Sequence, residues 1–438
     1  MARKKQVHDP IFEQTLCEAF SPEFLEKTAK ETGMIKRNRK VNPVAIFWVL
    51  VLSFGVGMQR TLASLKRSYE WEGETALSDS SWYDRFSPEM VLYLKTCVIH
   101  GIEYLAKAEH RKLSDKLMHF RDVLIKDSTI IRLHEKLAKK WPAARARKVA
   151  AGVKVSLLVS AVANSMKSVS LFGERTSEIK TLRVGPWIKN RILLIDLGFY
   201  KHHIFTRIAE NGGFFVSRLK GSADPLIVSV NSICKGRSVD VVGKRISEVL
   251  PKLKRQILDV EVEVQIKRGR YKGKQRKDTV QFRLVAVYNK EARKYHTYLT
   301  NIPCDVLKPE EIASLYGARW EIELIFKELK SRYALDMIKT TNPQIIEALI
   351  WVAILTLLAS RLIYNLVRRR AEAQGKEVVR FTHLRWSVIF SETAGKHLTA
   401  LLRYLNIKMD MMDFYSLYDN QSFDPHANRH RFREEWWS

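Results

Sequence analysis

In the stretch LYGARWEIELIFKELKSRYALD, Leu315 to Asp336, Tyr316, Arg319, Glu323 and Lys330 follow one another at steps of three, four and seven. On a helix they fall at roughly 0°, 300°, 340° and 320°, inside an arc of roughly 60°. Ala318, Ile322, Ile325, Phe326, Leu329 and Tyr333 fill the neighbouring arc. The spacing predicts one helix with an apolar stripe on a core and, beside it, a line holding a carboxylate, two cations and a phenol. Such a line suits a phosphodiester backbone. Arg319 would fork onto one phosphate, Lys330 would meet another as a point charge, and Tyr316 would donate its hydroxyl. A solvated amphipathic face has the same spacing, so the rest of the chain must decide.

Two further carboxylates decide it. Asp127 in DVLIKDSTIIRL and Asp196 in RILLIDLGFY each end an apolar strand run. Adjacent strand ends would set them side by side, and the helix would bring in Glu323. Either aspartate alone also reads as a turn or helix cap. Three carboxylates in one place repel unless a cation sits between them. Hard oxygen donors suit Mg²⁺ or Mn²⁺. Two such ions, about 3.5–4 Å apart, activate a water or 3′-hydroxyl and stabilise a leaving oxygen. No His, Cys or Ser constellation competes, and His202 and His203 lack a partner spacing for metal.

The 438 residues include 75 Lys plus Arg against 47 Asp plus Glu, a net charge of +28. That excess points to a polyanion, nucleic acid or an anionic surface, and clusters at 36–40, 145–148, 267–277 and 368–370 suggest a long track. The four cysteines form no CxxC pair, which excludes a disulfide framework and a zinc motif. MARKKQVHDPIFEQ has no apolar run after its charges, and the runs near 44–58 and 349–358 fall short of the roughly 20 residues of a membrane span. The expectation is a cytoplasmic protein with two buried helices and no membrane partner.

These residues must be held by a chain whose period changes twice. Residues 1–112 read as an all-α domain, either a DNA-end reader or a packing domain. From 113 to 370 the order is strand, strand, strand, helix, strand, helix, strand, an α/β unit. It is interrupted at about 235–300 by an antiparallel β insertion, two long strands joined by a basic loop and followed by a third. Residues 371–438 read as a helical region and polar, aromatic tail.

Tyr316, Arg319, Glu323 and Lys330 match the Y-(2)-R-(3)-E-(6)-K signature of DDE transposases of the insertion-sequence-4 family. LTNIP before it, DST at Asp127, LLIDLGFY at Asp196, FFVSRLK and SDSSWYDRFSPE resemble other blocks of that family. The resemblance covers most of the chain and is weakest before residue 110 and after about residue 370. It implies a ribonuclease-H-like catalytic core with Asp127, Asp196 and Glu323 as a metal-binding triad. It also implies cut-and-paste transposition of an insertion sequence through nicking, hairpin formation and strand transfer. Tyr316, Arg319 and Lys330 would hold phosphates near the hairpin, and Trp320 would either stack on a displaced base or lie buried. Arg218, Lys220, Arg268, Arg270 and Lys272 are further DNA-contact candidates. The implied partners are double-stranded DNA, both terminal inverted repeats and target, and a second copy of the chain when the ends are paired. A nuclease of the same fold and an inactive DNA-binding derivative are the alternatives.

Overall fold

The computed structural model describes residues 10–36, 41–57, 61–72, 77–108, 113–144, 150–231, 240–271, 274–336, 338, 340–378 and 381–407, of which 267–271 and 274–277 by backbone alone. It divides into two compact units, one built from Met1–Gly101 and Lys327–Ser438, the other from Ile102–Phe326. The helices before Gly101 and those after Lys327 thus share one unit.

That helical unit holds α1 (Ile11–Ala19), α2 (Pro22–Glu31), α3 (Pro43–Val49), α4 (Leu62–Glu72), α5 (Asp79–Tyr83) and most of α6 (Pro88–Ala108). The starts are set locally. The hydroxyls of Ser21 and Ser78 accept the amides of Phe24 and Ser81 at 3.2 Å, and the Asn42 side chain caps α3. Gly33 closes α2 at φ +77. Beyond α3 the helix widens to a π turn over Leu50–Phe54. The Val51 carbonyl there accepts the Thr356 hydroxyl at 2.8 Å, and a Cβ on Gly55 would fall 1.7 Å from that oxygen. Only glycine permits so close an approach.

The other unit is built on a nine-stranded sheet. Its strands are β1 (Asp122–Leu133), β2 (Ala151–Ser160), β3 (Ser165–Gly173), β4 (Arg191–Ile195), β5 (Phe214–Arg218), β6 (Leu226–Val230), β7 (Ile257–Tyr271), β8 (Lys274–Asn289) and β9 (Lys294–Thr300). They lie in the order β3-β2-β1-β4-β5-β9-β8-β7-β6. β1, β2 and β3 are antiparallel, while β1, β4 and β5 run parallel. Helices α7 (His202–Glu210) and α8 (Ile246–Val249) contribute to one continuous core that runs from Leu124 and Leu193 through Phe205 and Phe215 to Phe282 and Leu299. The β insertion is therefore no separate body. β9 pairs with β5, and Asn301 of the LTNIP stretch extends that seam by bonding both the Phe215 amide and the Gly213 carbonyl at 2.9 Å. The expected basic loop is mostly strand, and β6 adds an edge that the periodicity did not reveal.

Beyond the sheet come α9 (Pro309–Gly317), α10 (Trp320–Ser331), α11 (Pro343–Ala373) and α12 (His383–Tyr404). The single helix expected over Leu315–Asp336 is thus two. Between them the Ala318, Arg319, Glu321 and Ile322 amides all bond three residues back, a tightened passage that follows the poor helix former Gly317. α11 is much longer than the apolar run near 349–358 suggested. By length and composition it could cross a membrane, but 94% of its apolar window is buried inside the protein, as in a core helix.

Candidate active site

β1 and β4 run side by side until Lys126 faces Ile195. The next residues on the two strands are Asp127 and Asp196, so the register sets the two aspartates next to each other. Asp127 is not at a strand end: β1 continues to Leu133, paired with β2 alone. Asp196 does leave its strand, capping a short 3₁₀ turn, Leu197–Phe199. Gly198 in that turn lies against Glu178, whose Cγ would be 3.0 Å from an added Cβ.

Arg319, in the passage between α9 and α10, supplies the cation between the carboxylates. Its guanidinium bonds Glu323 Oε1 at 2.6 Å and approaches Asp127 Oδ2 at 3.5 Å. Its side chain keeps only 16% of its exposure. Burial, in the first place, pushes the Asp127 carboxyl up to about 6. The Ser128 amide and Arg319 pull it down, and Asp196 and Glu178 push it further up. Among the described residues no three acidic, His or Cys side chains stand close enough to share one ion. The donor types nevertheless fit a hard divalent cation, and a buried carboxyl with raised proton affinity beside a second aspartate lacks positive charge. In this arrangement the guanidinium provides that charge.

The other expected residues divide. Trp320 is 59% exposed, as stacking on a base requires. Lys330 lies on the last turn of α10. Tyr316 is buried against Tyr298, and its hydroxyl has no hydrogen-bond partner among the described residues. Burial pushes that phenol up to about 12, so it stays protonated, but it does not reach the surface as placed. Arg218 ends β5 within electrostatic reach of Tyr316, and Lys220 is exposed in the following turn. The side chains of Arg268 and Arg270, and all of Lys272, lie outside the described residues, as do 37–40, 145–149 and 408–438.

One group was missed. Glu178 accepts the Ser128 hydroxyl with both oxygens at 2.8 Å and the ammonium of the buried Lys154 at 2.7 Å. This fourth carboxylate is tied up by its partners, and it anchors the 3₁₀ turn Glu178–Thr181 over the strand that carries Asp127. Nothing in SEIK marks it out. Lys126, beside Asp127 but on the opposite face of β1, is also buried; burial lowers it to about 8, against the pull of Glu178 and Asp127.

Residues 118–359 match the family described as the transposase DDE domain. The chain is 23% identical over 375 residues to the transposase for insertion sequence element IS231F of Bacillus thuringiensis subsp. israelensis, covering 77% of this chain and 76% of the relative. It is 21% identical over 381 residues to the transposase for insertion sequence element IS1151 of Clostridium perfringens, 79% of each. The match spans the two strand aspartates and the helix with Glu323, and by its extent this chain belongs to the family of DDE-domain transposases.

Proposed function

We propose that this enzyme excises an insertion sequence and joins it to target DNA, with Asp127, Asp196 and Glu323 as the triad that holds divalent metal. The observation that carries the reading is the β1–β4 register, which puts Asp127 beside Asp196 while Arg319 links Asp127 to Glu323. The order of strands β3-β2-β1-β4-β5, antiparallel and then parallel, supports a ribonuclease-H-like core. Two Mg²⁺ or Mn²⁺ ions, once bound, would supply Lewis acidity and an activated water or 3′-hydroxyl. The chain's own groups do the rest. Asp127, ionised above about pH 6, offers oxygen ligands. Arg319 is released from the carboxylates to fork onto a phosphate, while Lys330 and Arg218 add charge along the strand. Trp320 stacks on a base displaced near a hairpin end. Tyr316 reaches a phosphate only after its ring turns out of its packing. Two copies of the chain pair the two inverted repeats, in the bacterial cytoplasm where the DNA lies.

The test uses linear DNA carrying both ends of the native element, purified protein, and Mg²⁺ or Mn²⁺ against EDTA. Metal-dependent nicks at the ends and hairpins, all lost in Glu323→Ala, are expected. Cleavage that ignores the ends would mean a simple nuclease. Binding without cleavage in either metal would mean an inactive derivative.

A further inference from the structure

On the face of β1 opposite Asp127 lies a pocket of about 440 Å³ that the triad does not use. That volume is within the range of small-molecule sites, roughly 300–1,000 Å³. Lys126, Lys167, Lys180 and Arg183 line it together with Phe172 and Trp187, and no lining residue is acidic. Lys167 on the edge strand β3, Lys180 in the 3₁₀ turn Glu178–Thr181 and Arg183 just after it are exposed. Lys126 differs from them, for it is only 4% exposed. It stands at the floor of the pocket, and no side-chain hydrogen bond ties it to a described residue. A buried lysine that opens on a cavity rimmed by three more cations suits an anion there. The indole N–H of Trp187 donates to the Arg183 carbonyl at 2.9 Å, which fixes the ring at the pocket wall.

We propose that this pocket binds a nucleotide unit, its phosphate on Lys126 and the rim cations and its base against Trp187 and Phe172. Four cations with two aromatic rings match a phosphate joined to a planar ring better than they match a bare anion. The same chemistry is offered by a free deoxynucleotide and by a nucleotide turned out of a bound strand. The inference stands apart from the transposition reading, since binding is measured without any cleavage.

Titration calorimetry of the full chain with dAMP, deoxyadenosine and inorganic phosphate is the first arm, repeated with Lys180→Ala/Arg183→Ala and with Trp187→Phe. The two rim residues are exposed, so that variant is expected to fold, and an unchanged melting temperature checks it. The second arm places 5-iododeoxyuridine at single positions of an element-end duplex and maps the photocrosslinks. One dAMP per chain is expected, tighter than phosphate or nucleoside alone, and weakened by about tenfold or more in the double variant. A crosslink at Trp187 or Phe172 assigns the nucleotide to a DNA strand; dAMP binding without one assigns it to the free nucleotide. Phosphate binding as tightly as dAMP, dAMP binding unchanged in the double variant, or neither binding nor crosslink overturns the proposal.

Discussion

Asp127 shows how a candidate metal ligand taxes the fold. Burial, with help from Asp196 and Glu178, holds its carboxyl at about 6 against an ordinary 3.8. A carboxyl raised in the folded state contributes stability that is complete below about pH 4 and lost as pH rises through about 6. The ionised form thus costs roughly 2–3 kcal/mol at neutral pH in the metal-free chain. Asp127→Asn should abolish cleavage yet raise the metal-free melting temperature by a few degrees at neutral pH, with no gain below about pH 4. A variant no more stable at neutral pH would contradict this. Arg319 competes for the same carboxylates, so Arg319→Ala should bind Mn²⁺ roughly tenfold more tightly, read as a larger metal-induced rise in melting temperature, while losing strand transfer. Equal affinity would mean that the guanidinium leaves the carboxylates freely. The residue types and spacings made these groups legible in the sequence. Glu178 was not legible, because a lone glutamate acquires its place only when a 3₁₀ turn folds over Ser128 and Lys154.

The elements were legible where local chemistry sets them, as with the Ser21, Asn42 and Ser78 caps and the alternation of β7 and β8. They were illegible where a long-range partner decides. The sequence does not say that β9 adds to β5, because that pairing joins residues 85 and 88 apart through Thr300 and Asn301. The break at Ala318–Arg319 was hidden by an unbroken apolar period. What aims α9, and so Arg319, is a buried clamp. The Arg283 guanidinium forms two bonds to Asp259, at 2.8 and 2.7 Å, and bonds the carbonyls of Ile302, Pro303 and Leu307 at 2.8–3.2 Å. Both side chains are almost fully buried. Removing one partner leaves the other charged and unpaired, so Arg283→Met should cost about 3–5 kcal/mol in urea unfolding. Arg283→Met/Asp259→Leu should recover part of that loss. If the single variant costs under about 1 kcal/mol, the clamp is not what holds the approach to α9.

At the scale of the whole molecule the net charge of +28 should dominate affinity for DNA. Binding to the element end should fall linearly in log[salt], with a slope of about −0.9 for each phosphate neutralised. Lys220→Ala should reduce the slope by about one if that exposed lysine meets a phosphate. An unchanged slope would remove it from the interface. The continuous sheet bears on how far such contacts extend. β6 and β9 flank β7 and β8 only as far as Glu263 and Arg283, while the hairpin backbone runs on to Tyr271 and Lys274. Val264, Ile266 and Phe282 are still buried there and the Gln265 carbonyl bonds the His202 ring at 3.0 Å, so the ribbon leaves the core only after Ile266, and the five residues from 267 to 271 at about 3.3 Å each span roughly 16 Å. Measured against a duplex that rises about 3.4 Å per base pair, that is about five base pairs. A ribbon carrying seven lysines and arginines between Lys267 and Lys277 therefore has the dimensions of an outrigger, which would make the footprint of the protein on its element longer than the width of its catalytic sheet.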